Sequence, residues 1–348
     1  MYKLKEILNK NIWDNFIIDA NLEFYSFLQS WEWWEFQELS WKKIIRYWIY
    51  DSWDLIGVFL LIKVSAKRSN YYFVPHGPII KWDFFVVVSQ IIEELKTYAY
   101  LDNMNFIRFN SPVKNKIENK MKFKSLNFIN APMHEHAEDT NILDLKIPEE
   151  ELLTNIKKKD RYYINRAIKE GVSIRIDNDI DHVEKLIEMH HKHAHRTNWK
   201  KTYSAFSSKF IKNLYKVFWD NISTISASFE WRVESILMTI KFWNTCVYYV
   251  AASDIKHPKF SPNYLCQWEA IKKAKKDWCN TYNFWWVSPD NNPKHPIAWV
   301  TKFKRKFWWN DYSLLHAQDL ILSPFYWVNW LIETARRLKR WYYYKKPE

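Results

Sequence analysis

The stretch that decides the fold is ISTISASF (222–229), EWR (230–232), VESILMTIKF (233–242), WNT (243–245) and CVYYVAA (246–252). Three strand-length runs rich in β-branched and aromatic residues are separated by very short breaks, the signature of an antiparallel meander. Tight hairpins of this kind need a residue that tolerates positive φ, which Gly supplies cheaply and a bulky aromatic does not. Here the breaks carry Trp231 and Trp243.

The same substitution recurs along the chain. The sequence has 3 Gly and 22 Trp in 348 residues, where Gly ordinarily makes up about 7%. Trp53 sits between two apolar runs in Tyr50-Asp51-Ser52-Trp53-Asp54, and Trp278 follows the helical run ending at Asp277, where Gly usually closes a helix. A native Trp-rich protein would not purge Gly from its turns. Translation of UGA as Trp, for a gene from a lineage that reads UGA as Gly, produces this pattern. The positions expected to be Gly are Trp34, Trp41, Trp48, Trp53, Trp199, Trp231, Trp243, Trp278, Trp286, Trp299, Trp308, Trp309 and Trp341, followed by Trp82, Trp219 and Trp327. Trp13, Trp33, Trp268, Trp285 and Trp330 stand in apolar contexts and read as true aromatics.

Outward from the meander, Leu152 to Glu170 reads as one basic helix stopped by Gly171, and Val172–Ile176 as a strand. Val183–Arg196 and Ser207–Trp219 carry apolar residues at three- and four-residue spacing and read as helices. After the meander come a helix marked by Leu265, Trp268, Ile271 and Ala274, and a strand over Tyr282–Val287. The N-terminal half has a similar rhythm. Lys43–Tyr47 pairs with Leu55–Val64, Tyr71–Val74 follows, Phe84–Tyr98 is helical, and Phe106–Phe109 and Asn141–Leu145 are strands. The order of helix pair, meander, helix and strand is α+β and resembles an acetyltransferase-like (GNAT) unit, so the fold expected is two tandem GNAT-like domains. The boundary is placed near Pro148.

The length suits two domains, each with its own core. Cys246, Cys266 and Cys279 give neither a metal-ligand spacing nor an even disulfide set, which fits a reducing cytoplasm. The first residues start no signal peptide. The longest apolar run, Leu55–Val64, is far short of a membrane span, so a soluble, cytoplasmic protein is expected. The formal net charge of +13 points to polyanionic partners such as RNA, phosphorylated precursors or an anionic membrane surface. An AT-rich genome is the alternative source of the Lys excess.

With Trp read as Gly at the named positions, several segments resemble the Fem family, the FemX and FemAB peptidoglycan-bridge aminoacyltransferases. They are FLQSWEWWEFQ (27–37), TNILDL (140–145), KKKDRYYINRA (157–167), KEGV (169–172), SPNYL (261–265), YNFWWV (282–287) and VTKFKRKFWW (300–309). The last becomes an FKRxFGG motif, and the matches run in order over nearly the whole chain. The resemblance implies a first GNAT-like domain over 1–147, completed by 312–348, and a second over 148–311, in the compact form without a helical-hairpin arm. It implies transfer of an amino acid from aminoacyl-tRNA to the stem-peptide amine of a peptidoglycan precursor, in cell-wall biogenesis and cell-shape maintenance. The partners implied are aminoacyl-tRNA and either UDP-MurNAc-pentapeptide or its lipid-linked form, with peripheral contact at the inner membrane surface, for a monomer without a cofactor.

The reaction is aminolysis of an ester, in which negative charge develops on the carbonyl oxygen and a fixed cation there lowers the barrier most. The resemblance assigns that role to Lys304, with Phe303 positioning the peptide. A solvated Lys in a basic loop is the alternative. Substrate contacts are assigned to Arg196, Tyr203, Tyr249, Gln37 and Asn110, with Tyr249 open to a purely core role. Gln37 and Asn110 depart from the Lys and the acidic residue common near those positions. Lys157, Lys158, Lys159, Arg161 and Arg166 are candidates for tRNA phosphate contacts, against a plain solvated helix face. His191 and His195 lie one turn apart, but no HExxH pattern or nearby carboxylate completes a site, and no metal is expected. The second function class is a CoA-dependent GNAT N-acyltransferase. It lacks the Gly-rich loop that cradles a pyrophosphate at a helix start. A non-enzymatic RNA-binding scaffold is the third.

Overall fold

The structure, a computed structural model, describes residues 2–23, 25–66, 69–196, 206–307, 310–340 and 342–348, without the side chains of 195 and 196. The chain forms two compact units, Met1–Asp139 with Tyr312–Glu348, and Thr140–Asp311. No described helix is long and apolar enough to cross a membrane.

In the first unit the chain runs through β1 (Lys3–Glu6), α1 (Lys10–Asp19), α2 (Trp31–Leu39), β2 (Lys43–Asp51), β3 (Asp54–Ala66), β4 (Ser69–Pro75), β5 (Ile79–Ile80), α3 (Phe84–Leu101), β6 (Phe106–Asn110), α4 (Ile117–Ser125) and β7 (Phe128–Asn130). The sheet order is β1-β2-β3-β4-β6, then Gln318–Ile321, then β7, with β5 against β3. Among the described residues of this sheet only β4 and β6 pair in parallel, from Tyr71↔Phe106 to Pro75↔Asn110, and a parallel pair requires a crossover. Helix α3 supplies it. The Asp83 carboxylate caps its start, accepting from Phe85 N and Val86 N at 2.9 Å each, and Val87, Val88, Ile91, Leu95 and Ala99 bury its inner face. The late strand Gln318–Ile321 inserts between β6 and β7, so the C-terminal segment is an integral part of this core.

The second unit contains β8 (Asp139–Asp144), α5 (Glu149–Asn155), α6 (Lys158–Lys169), β9 (Ser173–Asp177), α7 (Ile180–Arg196), α8 (Ser208–Val217), β10 (Ile222–Phe229), β11 (Arg232–Phe242), β12 (Thr245–Ser253), α9 (Pro262–Lys276), β13 (Thr281–Asn283) and α10 (Ala298–Lys304). Its sheet runs from the short strand Asp311–Ser313 through β8-β13-β12-β11-β10-β9. The meander is β10-β11-β12, with Phe229↔Arg232 and Phe242↔Thr245 closing its two turns. Trp231 and Trp243 sit in those turns at φ +67° and +52°.

Three sequence expectations are corrected. The unit boundary falls at 139/140, not 147/148, because β8 pairs with β13 inside the second sheet. The helix expected over 152–170 is two helices. Ile156 and Lys157 are extended, with ψ 133° and 139°, and Ile156 turns into the core beside Leu152 and Ile164. The strand expected over 282–287 ends at Asn283, and Trp285 follows in the left-handed region at φ +54°.

Candidate active site in the second unit

Strands β12 and β13 pair in parallel for three residues only, Thr245↔Thr281, Cys246↔Tyr282 and Val247↔Asn283. Beyond them β12 continues to Ser253, whereas β13 ends, so the two strands part and leave backbone groups facing a gap. At this point β12 carries a bulge. Met238 pairs with Val250 and Thr239 with Tyr248, leaving Tyr249 as the extra residue. Bulges re-aim side chains and concentrate beside active sites. Tyr248 packs against the core cluster, and Tyr249 stacks on Phe206, with ring centroids 5.8 Å apart.

Lys304 fills the gap. It is the last residue of α10, so the motif expected to be a loop is a helix end, where a cation is favoured by the backbone dipoles. Its side chain is 5% exposed. The ammonium donates to the carbonyls of Trp285 and Trp286 at 3.1 and 2.9 Å and lies 5.1 Å from the Tyr248 ring centroid. Among the described residues it has no carboxylate partner, and its third proton has no acceptor. Burial pulls its pKa down to about 7. A buried ammonium aimed where two strands part, and not neutralised by an acid, can stabilise negative charge on a carbonyl oxygen placed beside it.

Helix α10 has a second face. Ala298, Thr301, Lys302 and Arg305 border a cavity of about 550 Å³ that also takes in Lys157 and Trp299, within the size range of small-molecule and cofactor sites. Arg305 braces its wall, with Nη2 2.6 Å from Asp311 Oδ2 and Nη1 2.7 Å from Asn291 Oδ1. Lys306, also in the rim, bonds the Tyr264 hydroxyl and lies 3.6 Å from the buried Asp160. Lys157 and Lys302 are exposed and have no ion-pair partner among the described residues. They are the cations this cavity offers to an anion.

The sequence-predicted residues divide accordingly. Phe303 packs its ring on Tyr264 and Phe307 and points away from the cavity. Of the basic helix, Lys157 borders the cavity, while Lys158 and Lys159 are exposed in the first turn of α6. Arg161 donates to Thr154 O at 3.0 Å, closing α5. Arg166 lies 3.8 Å from Glu170. Gln37 and Asn110 belong to the first unit. Gln37 is buried in α2 with its Oε1 unpartnered, and Asn110 is buried at the end of β6 with both amide atoms unpartnered. Asn110 ends the parallel pair of its own sheet, as Asn283 does in the second. The Arg196 side chain and Tyr203 lie outside the described residues, as do Trp199, Trp308, Trp309 and Trp341. In the His-rich helix, His191 Nε2 is 2.9 Å from Phe206 O and His190 Nε2 accepts from Phe206 N. These two rings fasten the chain entering α8, and burial pulls His190 down to about 4.

Sequence reasoning missed Tyr248, the Trp285 and Trp286 carbonyls and Glu234. Glu234 is the extra residue of a bulge between β10 and β11, since Ala227 pairs with Ser235 and Ser228 with Val233. Fully buried, its carboxylate accepts from Lys256 N and His257 N at 3.2 and 3.1 Å, with His257 Nδ1 at 2.6 Å. It thereby holds the loop between β12 and α9. The skipped register carries no compositional signal.

Residues 154–292 match the family described as Acetyltransferase (GNAT) domain. No curated protein sequence matches the chain significantly. Among solved structures, the crystal structure of FemX superposes with a TM-score of 0.80 at 15% identity, over 95% of this chain and 100% of that one. A tandem GNAT protein from the clavulanic acid biosynthesis pathway gives 0.57 at 7% identity, over 93% and 99%. L-PGS from Bacillus licheniformis gives 0.54 at 12%, over 86% and 91%. The chain thus has the fold of FemX, two tandem GNAT-like units, and the match to the GNAT acetyltransferase domain lies in the second.

Proposed function

We propose that this protein is an aminoacyltransferase, moving an amino acid from aminoacyl-tRNA to the stem-peptide amine of a peptidoglycan precursor in the cytoplasm. The observation that carries the reading is the Lys304 ammonium, buried and without a carboxylate, where β12 and β13 part. The acceptor amine attacks the ester carbonyl carbon, a C–N bond forms, and charge gathers on the carbonyl oxygen beside Lys304. The C–O bond to the ribose then breaks, and the proton lost by the amine ends on the departing ribose oxygen. The nucleophile belongs to the substrate, so no Ser-His-Asp arrangement is needed. The cavity bordered by Lys157 and Lys302 suits the phosphates at the 3′ end of the tRNA.

The alternative, a CoA-dependent N-acyltransferase, needs free backbone amides ahead of the helix that follows β12, to hold a pyrophosphate. Here the amides of Lys256 and His257 already serve Glu234, whose charge repels phosphate, and Pro262 occupies the first turn of α9 without an N–H. These features weigh against it.

The test is incubation with charged tRNA and, separately, the UDP-linked and lipid-linked precursors. Label reaching either precursor, lost in Lys304→Met, is the expected result. Label on neither, or acyl transfer from acetyl-CoA to an amine, overturns the reading.

A further inference from the structure

A cluster in the first unit brings together three metal-ligating side chains. His134 Nδ1 and His316 Nδ1 both approach Glu138 Oε2, at 2.9 and 2.7 Å. All three ligand atoms lie within 4.8 Å of one another. Two other atoms of the cluster are already committed. His316 Nε2 lies 2.8 Å from the Ala131 carbonyl, which can only accept, so that nitrogen carries the ring proton. Glu138 Oε1 accepts from Ala317 N at 2.8 Å, which turns Oε2 toward the two rings. In its neutral form His316 therefore aims a lone pair at a carboxylate lone pair, in a buried place where bare repulsion is costly. A proton or a divalent cation must therefore lie between His316 Nδ1 and Glu138 Oε2.

We propose that His134, Glu138 and His316 form a Zn²⁺ site. Two imidazoles and a carboxylate are a zinc donor set, and a ring whose far nitrogen donates to a backbone carbonyl is the arrangement that orients a metal-ligating His. Zn–N and Zn–O bonds of about 2.0–2.2 Å require the triangle to open by roughly half an ångström, within the play of side-chain torsions. One cation then serves three donor atoms that otherwise converge on a single carboxylate oxygen through hydrogen bonds. The ligands come from a loop at 134–138 and from a position 178 residues after Glu138. The Tyr344 ring stacks on His316 at 3.7 Å. The site would tie the C-terminal segment to the body of the unit. With three protein donors the fourth tetrahedral position falls to water, and the role proposed is to hold the C-terminal segment in place.

The test uses the full-length protein, with Zn²⁺ and then Co²⁺ as probes. One Zn²⁺ per chain after dialysis, a melting temperature lowered by chelator, and visible Co²⁺ absorption of the tetrahedral type are expected. Loss of the one-to-one stoichiometry in His134→Asn, with the circular dichroism of the folded chain retained, is the fourth expected result. If that variant fails to fold, the Co²⁺ spectrum of the wild-type chain decides alone. Wild-type protein that binds neither ion, and whose melting temperature ignores chelator, overturns the site and leaves the three side chains joined by hydrogen bonds alone.

Discussion

The Lys304 ammonium donates to the Trp286 carbonyl at 2.9 Å and, among the described residues, has no carboxylate partner. A lysine so placed is costly to charge, since the unfolded chain holds its proton to about 10.4 and the folded chain only to about 7. Between these values the unfolded state binds more protons, so stability rises with pH from about 7 to about 10. Lys304→Met removes that slope and raises the melting temperature at neutral pH. Urea titrations of both proteins across this range check it, and parallel curves refute it.

On the proposed function, the same group sets the pH profile of the reaction. If the ammonium stabilises the carbonyl oxygen, kcat/KM falls as pH rises through about 7, because the charged form is lost. The ascending limb belongs to the acceptor amine. Lys304→Arg keeps its charge throughout, so the descending limb disappears even where the rate itself is low. A descending limb unchanged in Lys304→Arg would assign it to another group.

The cations at the cavity rim without an ion-pair partner predict a salt effect. Lys157→Ala and Lys302→Ala should each weaken tRNA binding and reduce the slope of log affinity against log salt, by about 0.7 for each single-strand phosphate that is no longer neutralised. Arg305→Ala should act differently, since its guanidinium is spent on Asp311 and Asn291 and its loss frees the 288–291 loop. Filter binding across a salt series separates these outcomes. Equal slopes in all three variants would remove the cavity from the tRNA path.

In the first unit, Arg108 faces Asp319 fork to fork at 2.8 Å for both bonds, and Glu333 Oε2 lies 2.9 Å from the same guanidinium. Both Arg108 and Asp319 are fully buried. Breaking such a pair from one side strands a charge in the interior and costs about 3–5 kcal/mol. Arg108→Met should therefore destabilise the first unit by that order in urea unfolding, whereas Lys96→Met, removing an exposed pair with Glu93, should change it by less than about 1 kcal/mol.

How much was legible follows from where each signal resides. The meander could be read because strand periodicity and turn punctuation are both local, and the order of elements around it carried the fold. The break between α5 and α6 could not, since Ile156 continues the apolar pattern while its backbone leaves the helix to bury it. The FKR segment showed only its charges. That Lys304 turns to the strands, Phe303 to the core and Lys302 to the cavity is set by the 100° step of α10 and its packing. The bulges at Tyr249 and Glu234 are register shifts inside two consecutive hairpins and leave no mark in composition, and the cluster of His134, Glu138 and His316 joins segments that only the sheet brings together.

The Trp residues themselves now divide by backbone and by burial. Trp41, Trp231, Trp243 and Trp278 stand at φ +61°, +67°, +52° and +62°, a conformation costing a residue with a side chain roughly 1–2 kcal/mol. All four are exposed, so no packing offsets that cost, whereas Trp13, Trp33 and Trp268 are buried in the cores. Trp285 joins the first class by its φ of +54°, although its apolar context reads as a true aromatic; Trp286 is outside the left-handed set. Trp34 in α2 is crowded, with the Arg46 guanidinium 3.1 Å from its ring centroid and its Nε1 without a partner. Trp231→Gly and Trp278→Gly should each stabilise the chain by about 1 kcal/mol, and Trp268→Ala should destabilise it by about 3–5 kcal/mol. The gene should carry UGA at 41, 231, 243 and 278 and UGG at 13, 33 and 268. Stabilities unchanged by the two Gly substitutions, or UGG at all seven codons, would make the Trp excess native and leave its left-handed turns as strain the protein carries.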